Sequence, residues 1–263
     1  MQQAEQLFTR VLTNVTNRWA ATSGLLKTAQ AGSALASTHI AQDNRQFVEA
    51  FLSDPGNDRL FGDRAGFVAW AGGADGLSAN ITREQLANFS HAVDAAALVF
   101  MHAALDAAVS DLCRVTALLA PGDWETFLED QKVTLSQLKG TTYDALLAAK
   151  LETHLDALGR ESLLKRVDRM FALCQPPKDF DPMRNYTFDR NRVDQIDRLR
   201  QRIVHGDDPF TPIADIPIQV EYMAKTAMLM MTLVNHRYKV KFNPLHTFTS
   251  LVGAKPSTPP GSA

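Results

Sequence analysis

Four cationic side chains crowd into eight residues of "RLRQRIVHGDDP", Arg198 to Pro209: Arg198, Arg200, Arg202 and, when protonated, His205. A glycine, two acids and a proline end the run. These residue types suit phosphate chemistry. A guanidinium presents a planar fork of donors that matches phosphate oxygens. An imidazole titrates near neutrality, so it can give or take a proton at physiological pH. Leu199, Ile203 and Val204 lie between the cations, so the charge sits on a segment that also has apolar positions.

The run also has a purely structural explanation. Arg198, Arg200 and Arg202 can be solvent-facing cations that pair with Asp194 and Asp197 along a helix surface. His205 can be a partner for the negative end of a helix dipole.

A second polar stripe is spaced i, i+4, i+8: His102, Asp106 and Ser110, in an alanine-rich segment. On a helix these share one face. A solvated stripe or an i,i+4 His–Asp pair is the plainer expectation, and a cleft lining that takes a regulatory ligand is the sharper one. Met223, Met228, Met230 and Met231 read as adaptable packing rather than a cofactor box.

Other chemistries find little support. None of the seven histidines forms H-x-x-x-H or a Cys/His cluster, so no metal and no cofactor is expected. There is no G-x-x-x-x-G-K-[ST] loop, no G-x-G-x-x-G after a strand, and "GLSAN" is not a nucleophile elbow. A net charge of -2 means that any nucleic-acid contact must come from a local patch. Two cysteines, Cys113 and Cys174, make no disulfide framework, and a reducing, cytoplasmic compartment is expected. The apolar stretches "AMLMMTLV" and "AAALVFM" fall short of the roughly 20 residues that span a bilayer, so no membrane partner is expected.

The elements that must position these residues are helices, and the fold class is all-α. Phe8, Val11, Leu12, Val15 and Trp19 carry helical spacing near the N-terminus. "SDPGND" and "WAGGADGLSAN" are breaks. They set a 1–80 helical extension apart from a helical domain over 81–245 and a flexible Pro/Ser/Gly-rich tail over 246–263. Thr82 and Gln85 fit a capping box that opens a long helix to residue 119. Leu86, Phe89, Val93, Ala97, Phe100, Leu112, Val115 and Leu119 mark its apolar face. Shorter helices follow at about 123–131, 141–158 and 160–174. A motif helix spans 189–205, with Val193, Ile196, Leu199 and Ile203 facing the core. Gly206 stands where helix ends favour glycine. Pro217 opens a last helix to about 237. The only strand-like pattern is a short "YKVKF".

In this setting the run "RQRIVHG" resembles the R-x4-H signature of HEPN domains: an arginine, a polar residue, a variable residue, two aliphatics, a histidine and a glycine near a helix end. A long Ala-rich helix before it and a closing apolar helix after it agree. The resemblance covers roughly 81–240, about 60% of the chain, and is closest to larger HEPN variants with inserted helices. It implies a HEPN-like helical bundle and a metal-independent endoribonuclease acting as a homodimer. It implies RNA as substrate, a setting as a toxin or in antiviral defence, and an antitoxin or regulatory protein as partner. By the motif match Arg200 and His205 are the catalytic residues, with Gln201, Arg202 and Arg198 contacting RNA. Position 201 departs from the family, which typically has Asn, Asp or His there. That departure keeps open the alternative, a non-catalytic HEPN-like dimerisation or RNA-binding module.

Geometry constrains this reading. At 3.6 residues per turn, five positions place Arg200 and His205 about 140° apart around a helix. Either the helix end deforms or a second copy completes the site. The HEPN resemblance implies the second solution.

Overall fold

In a computed structural model the chain is described over residues 1–60, 62–128, 132–134, 139–177, 180, 186–206 and 214–240. All regular elements in these residues are helical, as expected. They are α1 (Gln2–Ser53), α2 (Arg64–Trp70), α3 (Gly73–Leu119), α4 (Tyr143–Leu158), α5 (Leu163–Cys174), α6 (Arg190–His205) and α7 (Ile216–Tyr238). Two 3-10 turns, Pro55–Leu60 and Pro121–Phe127, join α1 to α2 and follow α3.

Local chemistry sets the ends of these helices. Asp63 caps α2 by accepting from Gly66 N, Thr142 caps α4 by accepting from Ala145 N, and Ser162 caps α5 by accepting from Lys165 N. Pro55 lacks the N–H that would continue α1. Lys239, at φ 52, ends α7, so Tyr238 of the strand-like "YKVKF" belongs to a helix. Residues 241 and 242 of that pattern, and the tail at 246–263, lie outside the described residues.

The chain divides into two compact units. One comprises Met1–Ala20, Phe100–Leu199 and the segment from Gln219 onward; the other comprises Ala21–Val99 and Arg200–Ile218. This division does not follow the line between 80 and 81. The first turns of α1 belong to the first unit, because Phe8, Val11, Leu12 and Val15 bury their side chains almost completely. The α1 helix runs for 52 residues in all, since nothing before Pro55 interrupts it.

The first unit has an apolar core drawn from several helices. Met101, Leu105, Val109 and Leu112 of α3 are sealed from solvent, as are Val167 and Met170 of α5 and Met223, Met230, Leu233 and Val234 of α7. Trp124 is fully buried and its indole N–H donates to Thr116 Oγ1 at 3.2 Å. Met228 is the exception among the α7 methionines, at 36% exposure.

Three sequence expectations about α3 need correction. The helix starts at Gly73, nine residues before Thr82, because the left-handed pair Gly72–Gly73 makes the turn and "GLSAN" is already helical. Thr82 and Gln85 therefore form no capping box. Three positions apart on one face, they both accept from Asn44 Nδ2 of α1, each at 2.9 Å, within the second unit. Phe89 and Phe100 are 49% and 44% exposed, so the apolar face read through them drifts off the core. The Arg18 guanidinium lies 5.5 Å from the Phe100 ring. Finally, α3 contains an eighteen-residue window of mean hydropathy 1.6, long and apolar enough by composition to cross a membrane. Alanine extends its apolar stretch beyond the short run read from the sequence. Even so, 44% of that window is buried within the protein, and the helix carries His102 and Asp106 paired to neighbouring helices.

Candidate functional site

The α6 helix carries the R-x4-H run. Its first turn is tied down firmly. Asp189, just before the helix, accepts from Asn191 N through its carboxylate, and its backbone exchanges two hydrogen bonds with the Tyr222 hydroxyl of α7 at 2.9 and 3.0 Å. The Arg192 guanidinium donates to Gln219 and stacks 4.3 Å from the Tyr222 ring. Val193 and Ile196 are buried, while Leu199 and Ile203 are only half-buried, so the expected core face holds for the first half of the helix.

The acidic side chains of α6 are used inside the fold. Asp194 pairs with Arg198 at 2.7 Å across one helical turn, on an exposed face. This is the helix-surface pair that the sequence allows, and it accounts for Arg198. Asp197 does something else. It points inward and meets His102 Nε2 of α3 at 2.9 Å, with both side chains largely buried.

The polar stripe of α3 is thus neither a solvated face nor an i,i+4 His–Asp pair. His102 reaches α6. Asp106 and Ser110 both bind Arg166 of α5, which donates to the Asp106 carboxylate, to the Asp106 carbonyl and to Ser110 Oγ. Arg166 is 96% buried, among Leu163, Val167 and Met170 of its own helix face. Burial of a guanidinium is costly unless its donors are satisfied, and the stripe satisfies most of them. Sequence reasoning missed Arg166. The available signal was an arginine at a core position of the 3.6-residue period in "LLKRVDRMFALC".

The C-terminal turn of α6 differs from the rest. Arg200 is half-exposed, and Gln201, Arg202 and His205 are exposed. Among the described residues none of these cations is ion-paired, whereas Arg198 is. Asp207 and Asp208, which follow in sequence, lie outside the described residues. Val204 is 51% exposed beside them. Gly206 takes the left-handed conformation, φ 74, and its N–H bonds to Ile203 O at 3.3 Å, the expected glycine-terminated end.

The helix stays α-helical through His205, so its end does not deform to bring Arg200 to the histidine. The two remain about 140° apart around the axis, while Gln201 and Arg202 lie within about 40° and 60° of His205. One copy of α6 thus offers a cationic face built on Arg202 and His205, with Arg200 on a neighbouring face.

Among the described residues no group of three His, Cys, Asp or Glu side chains is placed to hold a metal. Cys113 and Cys174 are free and buried, and burial pushes both thiols up to about 12. They are packing residues rather than nucleophiles.

No protein-family model matches the chain, and neither a curated protein nor a solved structure does.

Proposed function

We propose that this protein is a metal-independent endoribonuclease of HEPN type that acts as a homodimer. The observation that supports the reading is the sorting of charge along α6. Asp194 and Asp197 are spent on Arg198 and His102, and the last turn presents Arg200, Arg202 and His205 to solvent. A cationic turn of this kind suits a polyphosphate chain, whose charge supplies most of the non-specific affinity.

In this reading the nucleophile is the RNA 2′-OH. His205 takes its proton as general base, or protonates the leaving 5′-oxygen as general acid. The Arg200 guanidinium, brought in by the second copy, holds the phosphate oxygens on which charge develops. Gln201 and Arg202 share the face of His205 and orient the strand. The products are a 2′,3′-cyclic phosphate and a 5′-hydroxyl, so the bond to the 5′-oxygen is the one that breaks.

The second reading is a non-catalytic dimerisation or RNA-binding module. Exposed Val204 and the unusual amide at Gln201 favour it.

One experiment separates them. Purified wild-type, His205→Ala, Arg200→Lys and Gln201→Asn proteins are incubated with structured and single-stranded RNA in EDTA. The expected result is cleavage with cyclic-phosphate ends, lowered about 10²–10⁴-fold by His205→Ala. Arg200→Lys also impairs cleavage, because an ammonium lacks the bidentate fork. Gln201→Asn leaves the rate equal or raises it. His205 is exposed, so circular dichroism should show an unchanged fold. Wild-type rates in the folded His205→Ala protein would leave only the module.

A further inference from the structure

A trough of about 730 Å³ runs in the first unit between the start of α1, the end of α3 and α4. This volume is in the range of ligand sites. On each helix the lining recurs every three or four residues: Leu7 and Arg10 on α1, Arg114 and Leu118 on α3, and Leu147, Leu151 and Leu155 on α4. Each helix therefore turns one face to the same space. Three facing stripes around an open position are what a further helix fills in a bundle. Leu118 is 43% exposed, and Leu7, Leu147 and Leu155 are half-buried, so the apolar floor is open to solvent.

The charges of the trough decide what its occupant carries. Arg10 is paired with Asp111 and Arg114 with Asp156. Among the described residues Asp144 and Glu152 have no cation. Both are exposed, on one face of α4 with Ala148 between them, about 12 Å apart along the rim. Two unpaired carboxylates repel a phosphate backbone, so the trough is no extension of an RNA contact. They complement lysine or arginine two turns apart on one flank of a helix lying along α4.

The basic helix of this chain does not fill the role, because α6 buries Val193 and Ile196 within the first unit. We propose that the trough is the docking site for an amphipathic helix of a partner protein. Its apolar face meets Leu7, Leu118, Leu147 and Leu155, and its basic flank meets Asp144 and Glu152. A helix anchored in a groove by apolar residues at i, i+3 or i+4 and i+7 is a common mode of peptide recognition. From Asp144 to Asp156 the trough follows about 18 Å of α4, which matches about three turns of the incoming helix. The inference is independent of the ribonuclease reading.

Synthetic helical peptides of about fifteen residues test it. One carries leucine at i, i+3, i+4 and i+7 with two lysines on one flank. A second has glutamates in place of the lysines, and a third keeps the lysines but has serine for leucine. Binding to the full chain is measured by fluorescence anisotropy, for wild type and for Asp144→Asn/Glu152→Lys. Hydrogen exchange over residues 3–10 and 144–156 locates the bound peptide. Both substituted residues are exposed, so circular dichroism should report an intact fold. In the expected result wild type binds the leucine–lysine peptide at least about tenfold more tightly than either other peptide, a clear preference on the affinity scale. Exchange slows over both stretches, and the variant prefers the glutamate peptide. Equal affinity for the lysine and glutamate peptides, binding indifferent to the leucines, binding that leaves exchange unchanged there, or no binding would each overturn the proposal. If no peptide binds and both stretches are already protected, the trough is covered without a partner: by the chain itself when protection is independent of protein concentration, by a second copy when it rises with concentration.

Discussion

His154 sits edge-on to Trp124, with ring centroids 6.0 Å apart, and among the described residues its buried Nε2 has no hydrogen-bond partner. Burial, and then the nearby Arg169 charge, lower its pKa below 6.5. Between that lowered value and the ordinary one the unfolded chain binds more protons than the native chain, so stability rises with pH there. The contribution is fully present above about pH 6.5 and is lost as pH falls towards the native value. His154→Phe keeps the aromatic contact and removes the titration. Thermal melts between pH 7.5 and 5 should show a smaller loss of Tm in the variant than in wild type. Arg166 makes the sharper test of the buried network. Arg166→Met fills similar space but leaves Asp106 and Ser110 without their donor. Breaking a buried pair costs about 3–5 kcal/mol. Asp106, 39% exposed, can rehydrate, so denaturant melts should show a loss at or below the lower end of that range, about 2–3 kcal/mol.

At the scale of elements, α6 is tied by hydrogen bonds at its front and exposes most of its last turn. Tyr222, Gln219 and His102 engage Asp189, Arg192 and Asp197, while Gln201, Arg202, Val204 and His205 at the end are exposed. Its termination rests on Gly206 at φ 74. An L-residue there enters the left-handed region at a cost of about 1–2 kcal/mol. Open space surrounds the Gly206 Cβ position, so Gly206→Ala should lose stability through backbone strain alone, not steric clash. A chemical-denaturation midpoint lowered by that amount, with native helix content kept, is the expected outcome. Much of this element was legible. Its span, its glycine stop and its buried Val193 and Ile196 follow from periodicity and end signals. The inward turn of Asp197 was not, because an aspartate between arginines fits a surface pair equally well and only the position of His102 decides.

For the whole molecule, the proposed site needs two copies. Arg200 and His205 diverge by about 140° on a helix that stays regular to its last residue. A two-fold contact between α6 helices would bring Arg200 of one copy towards His205 of the other and cover exposed Val204. Sedimentation at micromolar concentration should therefore give a dimer, and Val204→Asp should shift it towards monomer. A wild-type monomer at that concentration would remove the shared-site mechanism.

Helix periodicity, caps and turn residues are local, so the sequence by itself determined the all-α class, the long N-terminal helix start, the separate helices near 141–158 and 160–174, and the helix bearing Arg200 and His205. It also singled out His102, Asp106 and Ser110 as one face. What that face meets is a question of long-range packing. Only the tertiary structure set Arg166 and Asp197 against it, 60 and 95 positions away from Asp106 and His102, and so turned a stripe that reads as solvated into a buried tie between helices. The units are likewise beyond local reading. A break such as "SDPGND" marks where a helix stops, whereas membership of a core depends on which side chains are buried together, and Phe8 to Val15 are buried with the helices that come after residue 100.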